Sequence, residues 1–425
     1  MVQIKIPYGK TGMSVDLPEK NLLGIFESVL PEAAADQTAE VQRALDAPIG
    51  SIPLEQLATG KKTALVITSD HTRPVPSKTI MPEILKRLRQ GNPEIEITIL
   101  VATGFHRLTT ESELRNKLGD DIFEQEKIAV HDSSDPAVLQ KIGTLPSGGE
   151  LIINRLAVDA DLLISEGFIE PHFFAGFSGG RKSVLPGIAA RETVLANHCA
   201  EFIAHPKART GSIEGNPIHE DMLFAARKAR LAFIINVVID QQKRIVKAFA
   251  GEPEKTHAAG CAFLKELAEI SVPESDIVIT SNGGFPLDQN LYQSVKGMTA
   301  GEAAVRKGGV IIICAACSDG HGGVSFWRTL ADAPSPGAVL EKIAAVPRNR
   351  TAPDQWEAQI LARILTRATV ILVAPELDPE LPRSMHLLHA VSLEEAVETA
   401  RKICGREKAV ISVIPDGVSV IVTQK

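Results

Sequence analysis

Short apolar segments alternate with amphipathic segments along most of this chain, and no other feature limits its fold as strongly. The apolar segments have the length of buried strands, and helical periodicity follows most of them. Strands that alternate with helices form parallel sheets covered by helices, so the sequence predicts an α/β fold. In the first half we predict these elements at residues 63–68, 77–90, 95–102, 110–118, 160–165, 232–239 and 251–269.

A junction that contains proline, Ser271-Val272-Pro273-Glu274, separates this series from a second one. The 425 residues are enough for two domains, and we place an N-terminal α/β domain at 1–271 and a C-terminal α/β domain at 272–408. The last segment, 409–425, predicts two strands around a turn, and we expect it to return to the N-terminal domain. The second series predicts strands and helices at residues 276–280, 289–307, 309–315, 336–345, 355–367, 369–373 and 393–404.

Charge and composition disfavour several classes of protein. The formal net charge is −7 and only 4% of the residues are aromatic, which argues against binding to nucleic acid. No apolar run approaches the roughly 18 residues of a membrane span, and the amino terminus has no signal-peptide pattern, so we expect a soluble cytoplasmic protein. Of the five cysteines only Cys314 and Cys317 form a CxxC pair, which is too few for a zinc site.

Unusual polar and glycine-rich segments directly follow the predicted strands. In open α/β sheets the ligand crevice lies at the carboxyl ends of the strands, so these loops should line a common edge in each domain. We therefore predict an active site in the cleft between the two domains. The loops read SDHTRPVP, TGFHR and SEGFIEPHFFAGFSGGRK in the first half, and TSNGGFPLDQN and CSDGHGG in the second.

The first two loops carry an acid, a guanidinium and an imidazole. Arg73, on a loop that prolines stiffen, suits a carboxylate or a phosphate, although an ion pair with Asp70 explains it equally well. His106 follows a flexible glycine at the end of a strand, which is a suitable place for an acid or base. A purely structural histidine is the alternative.

The third loop contains the glycine-rich segment that precedes Lys182. It is not a phosphate-binding P-loop, because Arg181 stands between the last glycine and Lys182. With Arg181 beside it, Lys182 is either a charge partner or a nucleophile of lowered pKa, and His172 stands at the entrance of the loop. His198 follows in a helix predicted at 191–203, where it is either a metal ligand or a partly buried helix residue.

Two segments of the second half add further candidates. Gln293 and Lys296 are three residues apart and therefore share one face of a predicted helix, beside Tyr292, one of only two tyrosines. A solvated helix face is the alternative for this pair. Trp356 begins a later helix, where core packing also explains it.

Taken together, these residues resemble the nickel-dependent lactate racemase family over nearly the whole chain. The resemblance implies a nickel pincer nucleotide, a pyridinium mononucleotide with two sulfur-containing arms, covalently attached to a lysine. Nickel is then held by both sulfurs, one ring carbon and one histidine. The matching motifs are, in order, SDHTRPVPS, TGFHR, PHFFAGFSGGRKSVLPGI, NHC and LYQSVKG.

The resemblance also implies a role for each matching residue. His106 and His172 would be the catalytic bases, Lys182 would carry the cofactor, and His198 would bind nickel. The cofactor would also be contacted by Asp70 and Arg73, and the substrate by Arg73, Tyr292, Gln293, Lys296 and Trp356.

The implied reaction is racemisation or epimerisation of a small 2-hydroxy acid. Hydride leaves C2 of such an acid more easily than a proton does, provided that a base removes the hydroxyl proton. Two opposed imidazoles are needed, because the two enantiomers present their hydroxyl groups on different sides. Phe173 and Phe174 suggest an apolar pocket, which favours lactate or a related apolar acid.

Other functions remain open from the sequence. Malate or a sugar acid is an alternative substrate, and a relative that binds a nucleotide or carboxylate without turnover is an alternative of another class. An ordinary dehydrogenase is disfavoured, because no GxGxxG motif follows a strand with an acidic residue some twenty positions on. The expected partners are the 2-hydroxy acid and the proteins that make the cofactor, with neither nucleic acid nor membrane.

Overall fold

Two six-stranded sheets organise the chain in the computed structural model, which describes residues 1–405 and 408–425. The strands are, in chain order, β1 (Val2–Ile6), β2 (Met13–Leu17), β3 (Leu22–Ile25), β4 (Thr63–Ser69), β5 (Glu96–Ala102), β6 (Lys127–Val130), β7 (Leu139–Thr144), β8 (Glu150–Asn154), β9 (Leu162–Phe168), β10 (Pro171–His172), β11 (Gly176–Phe177), β12 (Leu231–Ile239), β13 (Ile245–Gly251), β14 (Glu269–Val272), β15 (Ser275–Ser281), β16 (Val305–Cys314), β17 (Thr369–Val373), β18 (Leu388–Ala390), β19 (Ile411–Ile414) and β20 (Ile421–Gln424).

Helices connect most of these strands, as an α/β fold requires. They are α1 (Gln37–Asp46), α2 (Leu54–Ala58), α3 (Ser77–Gly91), α4 (Glu111–Leu118), α5 (Asp120–Gln125), α6 (Arg155–Asp159), α7 (Arg191–Asn197), α8 (Ala200–Ala204), α9 (Pro217–Lys228), α10 (Pro253–Ala268), α11 (Leu291–Ala304), α12 (Val324–Ala331), α13 (Pro336–Ala344), α14 (Gln355–Arg367), α15 (Glu380–Ser384) and α16 (Leu393–Cys404).

The first sheet has the strand order β13-β12-β9-β4-β5-β6 and is parallel except for the β12–β13 hairpin. Its central strand β4 has the sequence TALVITS, and five consecutive residues of it are buried. A continuous run of buried aliphatic residues is typical of a parallel strand that is covered on both faces. The predicted α/β class is confirmed, and the loops after β4, β5 and β9 emerge at one edge.

The second sheet has the order β18-β17-β16-β15-β19-β3 and is parallel throughout. We expected residues 409–425 to return to the N-terminal domain. Instead, β19 pairs with β15 and β3 of the second sheet, and β20 pairs with β14. The reason is burial: all four residues of β19 are buried, so this strand needs a neighbour on each edge.

The amino terminus also packs on the second sheet, which differs from the expected domain limit of 1–271. The hairpin of β1 and β2 buries Ile4, Ile6, Val15 and Leu17 against aliphatic residues of β15 to β17 and β19. Both ends of the chain therefore complete the second sheet. In the described ranges, no helix is both long and apolar enough to cross a lipid bilayer.

Candidate active site

The loops that follow the strands of the first sheet meet helices α11 and α14 across the cleft between the two sheets. The ring of Trp356 on α14 contacts Phe105 and His198, at centroid distances of 6.2 and 5.1 Å. The ammonium group of Lys296 on α11 lies 6.0 Å from the ring centroid of Phe173. The structure thus brings together the candidate residues that the sequence analysis took from the two halves of the chain.

Asp70 and His106 form a hydrogen-bonded pair at the ends of β4 and β5. The carboxylate oxygen Oδ2 of the buried Asp70 lies 2.6 Å from Nδ1 of His106, and Thr72 donates to Oδ1 at 2.7 Å. Burial raises the pKa of Asp70, but the hydrogen bond and charge of His106 outweigh it, so the net pKa lies below the ordinary value. The ionised carboxylate holds the proton of His106 on Nδ1, which leaves Nε2 as an acceptor.

His172 lies in an apolar and cationic environment. Its ring packs on Phe173 and Phe174, with centroid distances of 5.1 and 4.6 Å, and the backbone N–H of Ala175 donates to its Nδ1 at 3.3 Å. Burial lowers the pKa of His172 well below its usual value, and the charges of Lys182, Lys296 and Arg73 lower it further. This imidazole is therefore neutral, and its protonated form would be a strong acid.

Lys182 is presented by a tight glycine turn that is folded around Arg181. Gly180 has a φ of +53°, and a Cβ atom there would come within 2.8 Å of the ring of His257, so only glycine fits. The buried guanidinium of Arg181 donates to the carbonyl oxygens of Phe177 and Ala175 at 2.9 and 2.8 Å. Burial, and then the charge of Arg181, lower the pKa of Lys182 well below its usual value, which gives a nucleophilic amine.

His198 lies at the end of α7 and not inside a helix over 191–203. The helix stops at Asn197, His198 has φ −94° and ψ 27°, and α8 begins at Ala200. Its Nδ1 atom is buried and has no hydrogen-bond partner in the described part of the chain. Burial and the charge of Lys182 lower the pKa of His198 to about 3. The ring is therefore neutral and can offer a nitrogen lone pair to a metal ion.

The first turns of α11 present Gln293 and Lys296 on one face, as the spacing predicted. The ammonium group of Lys296 donates to Oε1 of Gln293 at 2.6 Å. Burial lowers the pKa of Lys296, and the Arg73 guanidinium lowers it further. Tyr292 packs on Phe326 at a centroid distance of 5.3 Å, and burial raises its pKa well above the usual value.

Positive charge is not balanced locally in this cleft. Within the described residues, neither Arg73 nor Lys296 forms an ion pair with a carboxylate within 4 Å. Arg73 donates to the hydroxyl of Thr72 at 2.9 Å, so it does not form the ion pair with Asp70 that the sequence left open. Two cations that form no ion pair predict that the cleft binds an anion.

The described residues fit the implied nickel cofactor. They contain no group of three or more histidine, cysteine, aspartate or glutamate side chains that could hold a metal ion. A metal bound at His198 would therefore take its other ligands from a bound group. The buried Nδ1 of His198 makes no well-formed hydrogen bond within the described residues, and the neutral amine of Lys182 is suited to a covalent bond.

Sequence reasoning missed two acids beside the substrate helix. Glu357 is buried (1% exposed); burial raises its pKa to about 8, and the charge of Lys296 opposes this. Asp354 precedes α14 with a φ of +63°, and its carboxyl group interacts with the hydroxyl of Tyr292. The only signal in the sequence was that Glu357 lies within the amphipathic stretch 355–367 and Asp354 directly before it. That position does not tell whether an acid is buried or exposed.

Comparison with known families gives matches in both halves. The family model of the lactate racemase N-terminal domain matches residues 8–211, and that of the lactate racemase C-terminal domain matches residues 270–422.

Two curated relatives align over essentially the full length. A lactate racemase of Thermoanaerobacterium thermosaccharolyticum is 55% identical over 427 aligned positions, with 100% of both chains covered. A lactate racemase of Lactiplantibacillus plantarum is 52% identical, with 99% of this chain and 100% of that protein covered.

Solved structures show the same architecture. The apoprotein of the Thermoanaerobacterium thermosaccharolyticum lactate racemase superposes with a TM-score of 0.96, at 55% identity, over 99% of this chain and 100% of that one. A Thermotoga maritima protein shares the fold at a TM-score of 0.64 and 20% identity, over 88% of this chain and 96% of that one.

The Asp70–His106 pair gives a testable prediction about the imidazole alone. In protein labelled with ¹⁵N at histidine, we expect the proton of the neutral His106 ring on Nδ1. Asp70→Asn keeps the shape but removes the charge, so the population of this tautomer should fall. Asp121→Asn, on an exposed helix, should leave the spectrum unchanged. An unaltered His106 tautomer in Asp70→Asn would contradict the proposed role of the carboxylate.

Proposed function

The chain belongs to the lactate racemase family, and we propose that it interconverts the two enantiomers of lactate. As a member of a racemase family it is an isomerase, and we propose lactate as its substrate in preference to malate or a sugar acid. The observation that carries the proposal is the meeting of two imidazoles, His106 and His172, with two cations that form no ion pair, Arg73 and Lys296, in one cleft. A carboxylate substrate would supply the missing negative charge and lie between the two imidazoles.

The carboxylate of lactate would be held by Arg73, Gln293 and Lys296. The charge of Arg73 lowers the pKa of Lys296, so the two groups repel each other, and Gln293 accepts a hydrogen bond from Lys296 at 2.6 Å. An anion between them relieves this repulsion and fixes C2 in the cleft. The rings of Phe173, Phe174 and Trp356 then leave an apolar space that suits the methyl group of lactate better than a second carboxylate.

The two histidines would move the hydroxyl proton in opposite directions. Nε2 of His106 accepts it, and Asp70 stabilises the imidazolium that forms. His172 has no such carboxylate. It would take up a proton from solvent before acting as the acid, and its cationic neighbours would favour release of that proton to the oxygen of the keto acid, while His106 returns its own proton to solvent. For the other enantiomer the two residues exchange roles, because the hydroxyl group then faces His172.

A nickel pincer nucleotide would be held by Lys182 through a covalent bond and by His198 through the metal, beside Asp70 and Arg73. When bound, this group supplies an acceptor for the hydride of C2 and returns it to either face. The chain contributes a neutral amine, a neutral imidazole and aromatic walls that exclude water. Cofactor attachment implies maturation proteins as partners. The buried thiols of Cys199, Cys261, Cys314 and Cys317 form no disulfide within the described residues, which favours the reducing cytoplasm in which we place the protein.

Replacement of either catalytic histidine tests the proposed function directly. On protein co-expressed with the cofactor-making enzymes, chiral chromatography should show racemisation of lactate by the wild type. His106→Ala and His172→Ala should each lower the rate by at least roughly 10²-fold, because each removes one proton carrier. The mass of the Lys182 peptide should stay that of the loaded protein.

The control is His205→Ala, at the end of α8 and outside the cleft, which should keep full activity. A wild type that racemises malate but not lactate would contradict the substrate assignment. Near-normal rates in either histidine variant would contradict the two-base scheme.

Metal analysis tests the assignment of His198. His198→Ala should lose most of its nickel while the chain stays folded and Lys182 stays modified, since the tether does not depend on this ring. Elemental analysis and mass spectrometry of the Lys182 peptide measure the two effects separately. Full nickel occupancy in His198→Ala would overturn the ligand assignment, and an unmodified Lys182 in the loaded wild type would overturn the cofactor proposal.

A further inference from the structure

The segment after β16 is rich in glycine, yet the proposed reaction uses none of its residues. We call Cys317–Gly322 the cap loop. Three of its residues have left-handed backbone conformations: Cys317 with φ +48°, Gly320 with φ +64° and Gly322 with φ +79°. A cysteine in this region is strained, and such strain persists only where the surroundings impose it.

The cap loop satisfies the N-terminus of α11, the helix that carries the substrate-binding candidates. The first N–H groups of a helix have no partner inside the helix. Here the carbonyl of Gly320 accepts from the N–H of Leu291 at 3.0 Å, and that of His321 accepts from Tyr292 at 3.2 Å. The side chain of Asn290 accepts from the N–H of Gln293 at 2.9 Å.

The cap loop is itself held firmly in place. Its backbone N–H groups at Cys317 and Asp319 donate to the carbonyls of Asp288 and Gln289, at 2.8 and 2.7 Å. The ring of His321 stacks on Trp327 with a centroid distance of 5.7 Å and an interplanar angle of 9°. The loop therefore holds the segment before α11 as well as its first turn.

Close approach of the two segments depends on Gly322. A Cβ atom at this position would lie 2.5 Å from Oδ1 and Cγ of Asn290 and 2.9 Å from Cβ of Tyr292. The next residue, Gly323, precedes α12 and has a φ of −179°, which any residue adopts, and a Cβ atom there would only reach ordinary contact at 3.6 Å. Gly322 and Gly323 are therefore suited to a variant and its control, because an added methyl group would clash at the first position and not at the second.

We propose that the cap loop is a positioning element of the substrate site. By holding the first turn of α11, it sets where Tyr292, Gln293 and Lys296 meet the substrate carboxylate. The inference rests on the proposed function, which assigns these residues to substrate, and it extends that function to a loop that touches no substrate. A displaced first turn should weaken substrate binding while the hydride and proton chemistry of the first sheet stays intact.

The test compares Gly322→Ala with Gly323→Ala in holoenzyme. Gly322→Ala should displace the Asn290 cap and raise KM for lactate at least roughly tenfold, with kcat changed less than KM. Amide hydrogen exchange should accelerate at Leu291 and Tyr292. Gly323→Ala should match the wild type in KM and in exchange, and both variants should carry the full cofactor mass on Lys182.

A second variant separates the loop contact from a general folding defect. Asn290→Ser keeps a capping oxygen in a smaller side chain. The double variant Gly322→Ala/Asn290→Ser should therefore have a KM between those of Gly322→Ala and the wild type. A wild-type KM in Gly322→Ala, or faster exchange without a change in KM, would overturn the positioning role. A wild type that fails to racemise lactate would instead overturn the proposed function.

Discussion

Unpaired positive charge, buried in the cleft between the two sheets, is the constraint on which the site depends. The charges of Arg73 and Lys296 act on the buried imidazole of His172, and aromatic rings pack against the imidazoles of His172 and His198. Burial lowers the pKa of His172, Lys182 and His198, and neighbouring positive charge lowers it further. The result is a set of neutral nitrogens at positions where a tether, a metal ligand and a proton carrier each require one.

This arrangement needs both sheets, because neither half of the chain contains the whole set. A continuous series of ring contacts runs between the loops of the two catalytic candidates. It passes from Phe105, next to His106, through Trp356, His198 and Phe174 to His172. Trp356 is the one member from α14, and Gln359 on the same helix donates to the carbonyl of Ala200 at 2.8 Å. The second sheet thus completes a wall that the first sheet begins.

Much of the architecture could be predicted from periodicity. The predicted elements at 355–367, 369–373 and 393–404 agree with α14, β17 and α16: β17 is a continuous apolar run, and α16 buries one face at helical spacing. The position of β19 could not be predicted, since its pairing with β15 and β3 is decided by tertiary contacts. The predicted helix 289–307 ran too long: α11 ends at Ala304, and β16 begins at Val305.

The candidate site was only partly visible in the sequence. Motifs indicated which side chains to consider, and the structure places them in one cleft, but their roles stay predictions. The buried acids Glu357 and Asp354 were missed because burial is a property of the fold. The capping carbonyls of Gly320 and His321 were missed because backbone atoms leave no signal in residue identity.

The central claim is that the hydrogen on C2 moves as hydride and returns to C2, while the histidines handle only the hydroxyl proton. The most direct measurement is racemisation of lactate deuterated at C2 by the loaded protein in ordinary water. Mass spectrometry of the opposite enantiomer should show that the deuterium is retained on C2. Replacement of the deuterium by solvent hydrogen at the rate of racemisation would mean that C2 loses a proton, and would contradict the account.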